Sequence, residues 1–126
     1  MKFDSPDACR RHLMDCAAKG DLERALQVYE NDSVCVMDDG SVFRGIAAIR
    51  EAFVPYLRHK PRLEITVRRQ FEIGDDLVVY YCDWQFEGVD ETGNAIPNAG
   101  ATLQLVRRQP DGSWRMLLDD HLLSSH

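Results

Sequence analysis

The chain has 126 residues, of which 44% are hydrophobic and 29% charged, and its 21 acids against 15 bases give a formal net charge of −6. That is the make-up of one globular domain, residues 1–126, able to bury a core without staples. The acidic balance argues against nucleic acid and anionic membranes as partners, since both demand a basic footprint.

Further exclusions follow from the same reading. No apolar run reaches the roughly eighteen residues that span a bilayer. Met1–Pro6 lacks the apolar stretch of a secretory signal. The four cysteines, Cys9, Cys16, Cys35 and Cys82, form no C-x-x-C pair and all sit in apolar segments. They read as small core residues in a reducing cytoplasm, and no metal site or cofactor is expected.

In chain order, Ser5-Pro6 opens a helix as N-cap and first residue. Cys9, Leu13, Cys16 and Ala17 follow at helical spacing, and Gly20 closes it. Asp21 caps a second helix carrying Leu22, Ala25, Leu26 and Tyr29. An apolar strand, Ser33–Met37, leads into a tight turn, Asp38-Asp39-Gly40-Ser41. Arg44-Gly45 then opens a third helix with the stripe Ile46, Ile49, Phe53 and Leu57, and with Pro55 in its last turn. The cations Arg58, His59, Lys60 and Arg62 complement that helix end.

From Arg62 the period becomes two. Leu63, Ile65, Val67, Phe71 and Ile73 alternate with polar residues, which reads as a half-buried strand. Gly74-Asp75-Asp76 turns into a second strand, Leu77–Gly88. A loop, Asp90–Pro97, precedes a third at about Asn98–Gln109, and Pro110-Asp111-Gly112-Ser113 precedes the last, Trp114–His121. The second strand places Tyr80, Cys82, Trp84 and Phe86 on one face and Leu77, Val79 and Tyr81 on the other. In the last, Trp114, Met116 and Leu118 share a face. Three helices cover only one side of such a sheet, so a homodimer through its convex face is expected.

This order of elements resembles the nuclear transport factor 2-like superfamily, in particular its SnoaL-like and ketosteroid-isomerase-like members. The resemblance is carried by Gly20-Asp21-Leu22, Tyr29, Asp32-Ser33-Val34, Arg44-Gly45-x-x-Ala48-Ile49-Arg50 and Asp111-Gly112-x-Trp114-Arg115. It implies an α+β, cystatin-like fold in which a curved antiparallel sheet wraps N-terminal helices into a cone with a small-molecule pocket. It does not imply one activity. The ketosteroid isomerase's aspartate falls on Met37, its oxyanion-hole tyrosine near Leu13 and its second acid near Ala101, all apolar here. The epoxide-hydrolase pair falls near Cys82 and Trp84, while the late acid of the hydrolase-like and SnoaL-like members falls on Asp119.

Asp119 and His121, two apart in a strand, share a face with Cα atoms about 7 Å apart. They are the candidate catalytic pair, with Asp119 as acid–base residue, His121 assisting, and an apolar pocket tending to raise the carboxyl pKa. Asp119-Asp120-His121 also reads as a solvated strand exit. The candidate pocket lining for a small, apolar, oxygenated ligand is Met37, Phe53, Tyr80, Cys82, Trp84, Phe86, Ala101, Leu103 and Leu117, although aromatic residues at strand period also build plain cores. Two functions follow: an acid–base enzyme of the isomerase, cyclase or dehydratase type, or a non-catalytic binding or dimerisation module.

Overall fold

The computed structural model describes residues 2–37, 40–57, 62–89 and 95–121. Helix α1 (Pro6–Lys19) begins as its sequence predicts, with the Ser5 hydroxyl accepting from the Ala8 N–H at 3.0 Å. It ends at Gly20, φ +68°, where the Gly20 and Asp21 N–H groups close on the Ala17 and Cys16 carbonyls. Asp21 caps a single turn, α2 (Leu22–Ala25), which tightens into 3-10 geometry over Leu26–Val28.

The second helix therefore stops short of Tyr29, which instead opens β1 (Tyr29–Val36). The strand's register shifts between Tyr29 and Val34. Within that shift the Ser33 hydroxyl is shared between the Glu30 and Met116 carbonyls, at 2.8 and 2.7 Å. The expected turn follows, with Gly40 at φ +88° and the Met37 N–H on the Ser41 carbonyl. Its Asp38-Asp39 pair lies outside the described residues.

A short edge strand, β2 (Val42–Arg44), pairs antiparallel with β1 where the sequence suggested only the run-in to a helix. Three residues carry too little periodicity to announce a strand. Gly45 then turns the chain into α3 (Ile46–Leu57), which contains Pro55. Arg58–Lys60 and the Gly93-Asn94 loop lie outside the described residues.

Four strands complete the sheet: β3 (Arg62–Ile73), β4 (Leu77–Val89), β5 (Ala95–Arg108) and β6 (Trp114–Asp120). β5 begins earlier than its turn residues suggested, because Ala95–Pro97 already pair with Glu87–Val89. The order is β2-β1-β6-β5-β4-β3, antiparallel throughout except for the parallel β1–β6 pair. Register shifts in β3 and in the β5–β6 ladder bend the sheet, which curves without closing. The result is an α+β cone of the cystatin-like and nuclear transport factor 2-like kind.

Helix α1 packs Cys9, Leu13, Cys16 and Ala17 into the cone, where they meet Ile49 of α3, Tyr80 and Cys82 of β4, Val106 and Met116. All four cysteines are buried and free, as expected of core residues. The last strand differs from its sequence reading. Leu117 is skipped in the pairing of Val106 with Met116 and Leu105 with Leu118, so Met116 points inward and Leu118 outward. The outer face carries Phe71, Ile73 and Tyr81, with Phe71 and Ile73 at 50% and 55% exposure. Among the described residues, no helix is long and apolar enough to cross a membrane.

Gly45 is the clearest single backbone constraint. Its φ of +83° lies in the left-handed region, its N–H bonds the Ser33 carbonyl at 2.8 Å, and an added Cβ would sit 3.5 Å from the Asn31 carbonyl oxygen. The strain of a left-handed side-chain residue is about 1–2 kcal/mol. Gly45→Ala is expected to lower the urea unfolding free energy by about that amount; an unchanged midpoint would refute it.

Candidate functional site

Two adjacent strands and the register between them build the site. Asp119 on β6 is the cross-strand partner of Gln104 on β5 and of Cys35 on β1, so all three side chains enter the cone together. Asp119 is 2% exposed. A carboxylate buried that deeply costs several kcal/mol unless its oxygens are occupied. Here they are. Tyr29 donates its hydroxyl to Oδ2 at 3.1 Å, Thr102 donates to Oδ1 at 3.1 Å, and the Gln104 amide approaches Oδ1 at 3.5 Å. His121 completes the set, its Nε2 lying 3.3 Å from Oδ1.

A second tier orients the first. Arg10 of α1 is buried, and its Nε donates to the Gln104 Oε1 at 2.9 Å. That bond fixes the amide so that its Nε2 turns to Asp119. The guanidinium also reaches the Cys82 sulfur at 3.4 Å and stacks 4.3 Å from the Tyr80 ring centroid. Tyr80 in turn donates to Asp7 at 3.3 Å. A chain of contacts thus runs from Asp7, at the exposed start of α1, to the buried carboxylate.

Burial, the largest influence on Asp119, pushes its carboxyl pKa up. The charge and hydrogen bond of His121, with those of Thr102 and Tyr29, outweigh it and hold the pKa below the ordinary carboxylate value. This reverses the sequence expectation of a raised pKa, because the groups packed around this acid are donors rather than hydrocarbon. Burial, reinforced by the Asp119 charge, raises Tyr29 well above an ordinary tyrosine, so its hydroxyl stays a donor. Cys35 is likewise pushed up, first by burial and then by Asp119.

The ionised carboxylate can only accept, so the facing Nε2 of His121 is the nitrogen that donates to it. The His121 side chain is 24% exposed against 3% for Asp119. The histidine is therefore the accessible half of the pair. The donor atoms of Cys35, Asp119 and His121 lie within 4.8 Å of one another and are the described residues that could surround a metal ion. Burial keeps the Cys35 thiol protonated, and the carboxylate is engaged by Tyr29, Thr102, Gln104 and His121, which is the order of a hydrogen-bonded acid–base pair.

Of the expected lining, Tyr80, Cys82 and Trp84 are buried on the inward face of β4. The Trp84 ring meets His121 at a centroid distance of 6.0 Å and 72°, and its Nε1 is buried with no hydrogen-bond partner among the described residues. An unmet buried donor costs roughly 1–3 kcal/mol. Phe53 packs against Tyr29 with centroids 6.0 Å apart, and the Met37 sulfur is 3.7 Å from that of Cys35. Leu117 is half-buried at the β6 register shift. The Phe86 side chain lies outside the described residues.

Ala101 and Leu103 are a correction. They pair with Asp83 and Tyr81 on the outer face, and Thr102 and Gln104 are the residues that enter the cone. The alternation Ala101-Thr102-Leu103-Gln104 was read as apolar-in, and the structure is the reverse, since the interior at this point is polar. Arg10, Tyr29, Thr102 and Gln104 were missed for that reason. The one sequence signal for them is a strand whose polar face has a buried aspartate as neighbour.

Away from this site, a shallow groove lies beside the β5–β6 turn, lined by Asp76, Arg108, Gln109, Pro110 and Gly112. Its cation is already paired, with Arg108 on Asp76 at 2.9 Å.

Comparison with known proteins places the arrangement in a family. The SnoaL-like domain model matches residues 10–115, and the chain belongs to that family, within the nuclear transport factor 2-like superfamily. A comparison with curated proteins finds no match. Among solved structures, the chain is similar to a candidate calcium/calmodulin-dependent protein kinase II association domain from Xanthomonas campestris. The TM-score is 0.81 at 20% identity, covering 90% of this chain and 81% of that one. It is similar also to a ketosteroid isomerase-like protein from Erwinia carotovora atroseptica, with TM-score 0.79 at 15% identity, covering 90% and 89%. A third is a candidate dehydratase of the NTF2-like family from Streptomyces avermitilis, with TM-score 0.72 at 12% identity, covering 90% of each chain. At these identities the likeness is one of fold.

The carboxylate network makes two predictions. Tyr29→Phe removes the donor to Oδ2 and is expected to cost roughly 1.5–3 kcal/mol of unfolding free energy, the range for hydrogen bonds to charged groups. No loss in a urea melt would refute the bond. Because the folded protein holds Asp119 below its ordinary 3.8, the unfolded chain takes up this proton first. The stabilisation is complete above that value and drains away as pH falls through the lowered folded pKa. The slope of stability against pH below 3.8 is therefore expected to be shallower in Asp119→Asn, and an identical slope would show that Asp119 contributes nothing there.

Proposed function

We propose that the protein is a proton-transfer enzyme of the isomerase, cyclase or dehydratase type, acting on a small, largely apolar, oxygenated compound inside the cone. The observation that carries this reading is the 3.3 Å contact between His121 and a carboxylate that three further donors hold in place. Histidine titrates in the physiological range, and a fixed carboxylate sets its tautomer and stabilises its charged form. His121 is the catalytic residue, taking and returning the proton at Nδ1, and Asp119 is its positioning residue. This reverses the weighting that the sequence alone suggested, because the depressed pKa and deep burial of Asp119 suit an anchor better than a base. Family membership and the isomerase-like and dehydratase-like neighbours support the reaction class. The free, buried cysteines fit a reducing compartment and so a cytoplasmic location.

Deuterium incorporation from D2O next to the carbonyl of simple ketones, acetophenone among them, tests the scheme. His121→Gln is expected to slow it by about 100-fold or more, the usual scale of acid–base catalysis. Exchange no faster than buffer with the native protein, or equal exchange in His121→Gln, contradicts the reading.

A second reading, a non-catalytic binding or dimerisation module, is favoured by a different observation. Phe71, Ile73 and Tyr81 expose apolar surface on the outer face of the sheet, with Phe71 and Tyr81 meeting edge to face at 6.1 Å. Both readings include a homodimer through that convex face. Light scattering is expected to give twice the chain mass for the native protein and a shift to monomer for Phe71→Glu. A native monomer would contradict the homodimer.

A further inference from the structure

The inner wall of the cone holds a polar group that the proton-transfer scheme leaves unused. Trp84 sits on β4 two residues past Cys82 on the same inward face, paired across the sheet with Ile65 and Gly100. It is more than nine-tenths buried, at 7% exposure, and its indole Nε1 has no hydrogen-bond partner among the described residues. Other polar groups of the interior are bonded to one another: Tyr29 and Thr102 to Asp119, and Arg10 to Gln104 and Cys82. The indole and the His121 ring meet edge to face, so the unmet donor and the proton-carrying ring share one part of the interior. Gly100, opposite Trp84 on β5, places no side chain beside the indole.

The chemistry of the missing partner is restricted. An indole N–H donates and cannot accept, so the partner is an acceptor and not a cation. A carboxylate or phosphate is disfavoured, because it would enter an enclosed site beside the ionised Asp119. A hydroxyl would bring a second donor needing its own acceptor. A carbonyl oxygen accepts and adds no donor.

We propose that Trp84 is a ligand-recognition residue whose indole N–H donates to the carbonyl oxygen of a small neutral ligand held against His121. The proposal rests on the reading of this interior as a ligand site and adds to it the ligand class and the residue that selects it.

The test pairs acetophenone with α-methylstyrene, which replaces the carbonyl by a methylidene group of nearly the same shape. In an 15N-labelled native sample, acetophenone is expected to move the Trp84 indole N–H resonance downfield, with Trp114, the other tryptophan, as internal reference. α-Methylstyrene is expected not to do so. Trp84→Phe keeps the aromatic bulk and should weaken acetophenone binding by about five- to tenfold, while changing α-methylstyrene binding by less than about twofold. The proposal is overturned if acetophenone fails to bind, if the indole resonance does not move, or if Trp84→Phe weakens both probes equally. Failure of the catalytic scheme looks different: acetophenone binds and moves the indole resonance, but His121-dependent deuterium exchange is absent. Conversely, His121-dependent exchange with no discrimination lost in Trp84→Phe overturns only the recognition role.

Discussion

A carboxylate taken out of water is the constraint around which the interior of this protein is arranged. Asp119 lies in the middle of the sheet, flanked by Cys35 on one side and Gln104 on the other. Its charge is supportable only because Tyr29, Thr102, Gln104 and His121 converge on its two oxygens. Each donor is placed by a different piece of structure. Tyr29 enters because α2 stops a residue early and β1 begins. Thr102 and Gln104 enter because the register of β5 turns its polar face inward, and Gln104 is held in the correct amide orientation by Arg10 reaching in from α1.

That arrangement divides labour between two side chains that look equivalent in the sequence. Asp119 is deep, ionised and saturated with donors, and so is poorly suited to receive a proton from a ligand. His121, two residues further along the chain, keeps partial access to solvent and inherits from Asp119 a fixed ring orientation. Around them the wall changes from polar to apolar, through Trp84, Phe53 and Met37. It is against this wall that the proposed function seats a ligand with one polar group on a hydrocarbon frame.

The element order and the helix caps were legible in the sequence because they depend on local chemistry: Ser5 before Pro6, Gly20 at a left-handed residue, period two from Arg62 onward. The pair Asp119–His121 was legible for the same reason, being two residues apart in one strand. Its surroundings were not. Whether Thr102 or Leu103 faces inward depends on pairing with a strand some fifteen residues away, and a single skipped residue at Leu117 changes the facing of what precedes it. Arg10 sits at the edge of the apolar stripe of α1 and reads as a solvent-facing cation. Only the buried polar face opposite makes it an interior one.

The relation between the two rings and the carboxylate can be read directly in solution. The 15N shifts and proton couplings of the His121 imidazole, followed through its titration in the native protein and in Asp119→Asn, report which nitrogen bears the permanent hydrogen. Nε2 is expected to stay protonated at every pH in the native protein, with Nδ1 alone gaining and losing its proton, and that asymmetry is expected to vanish in the variant. A native spectrum in which Nε2 is the bare nitrogen, or in which Asp119→Asn leaves the pattern unchanged, would contradict the assignment of Asp119 as the group that holds the histidine.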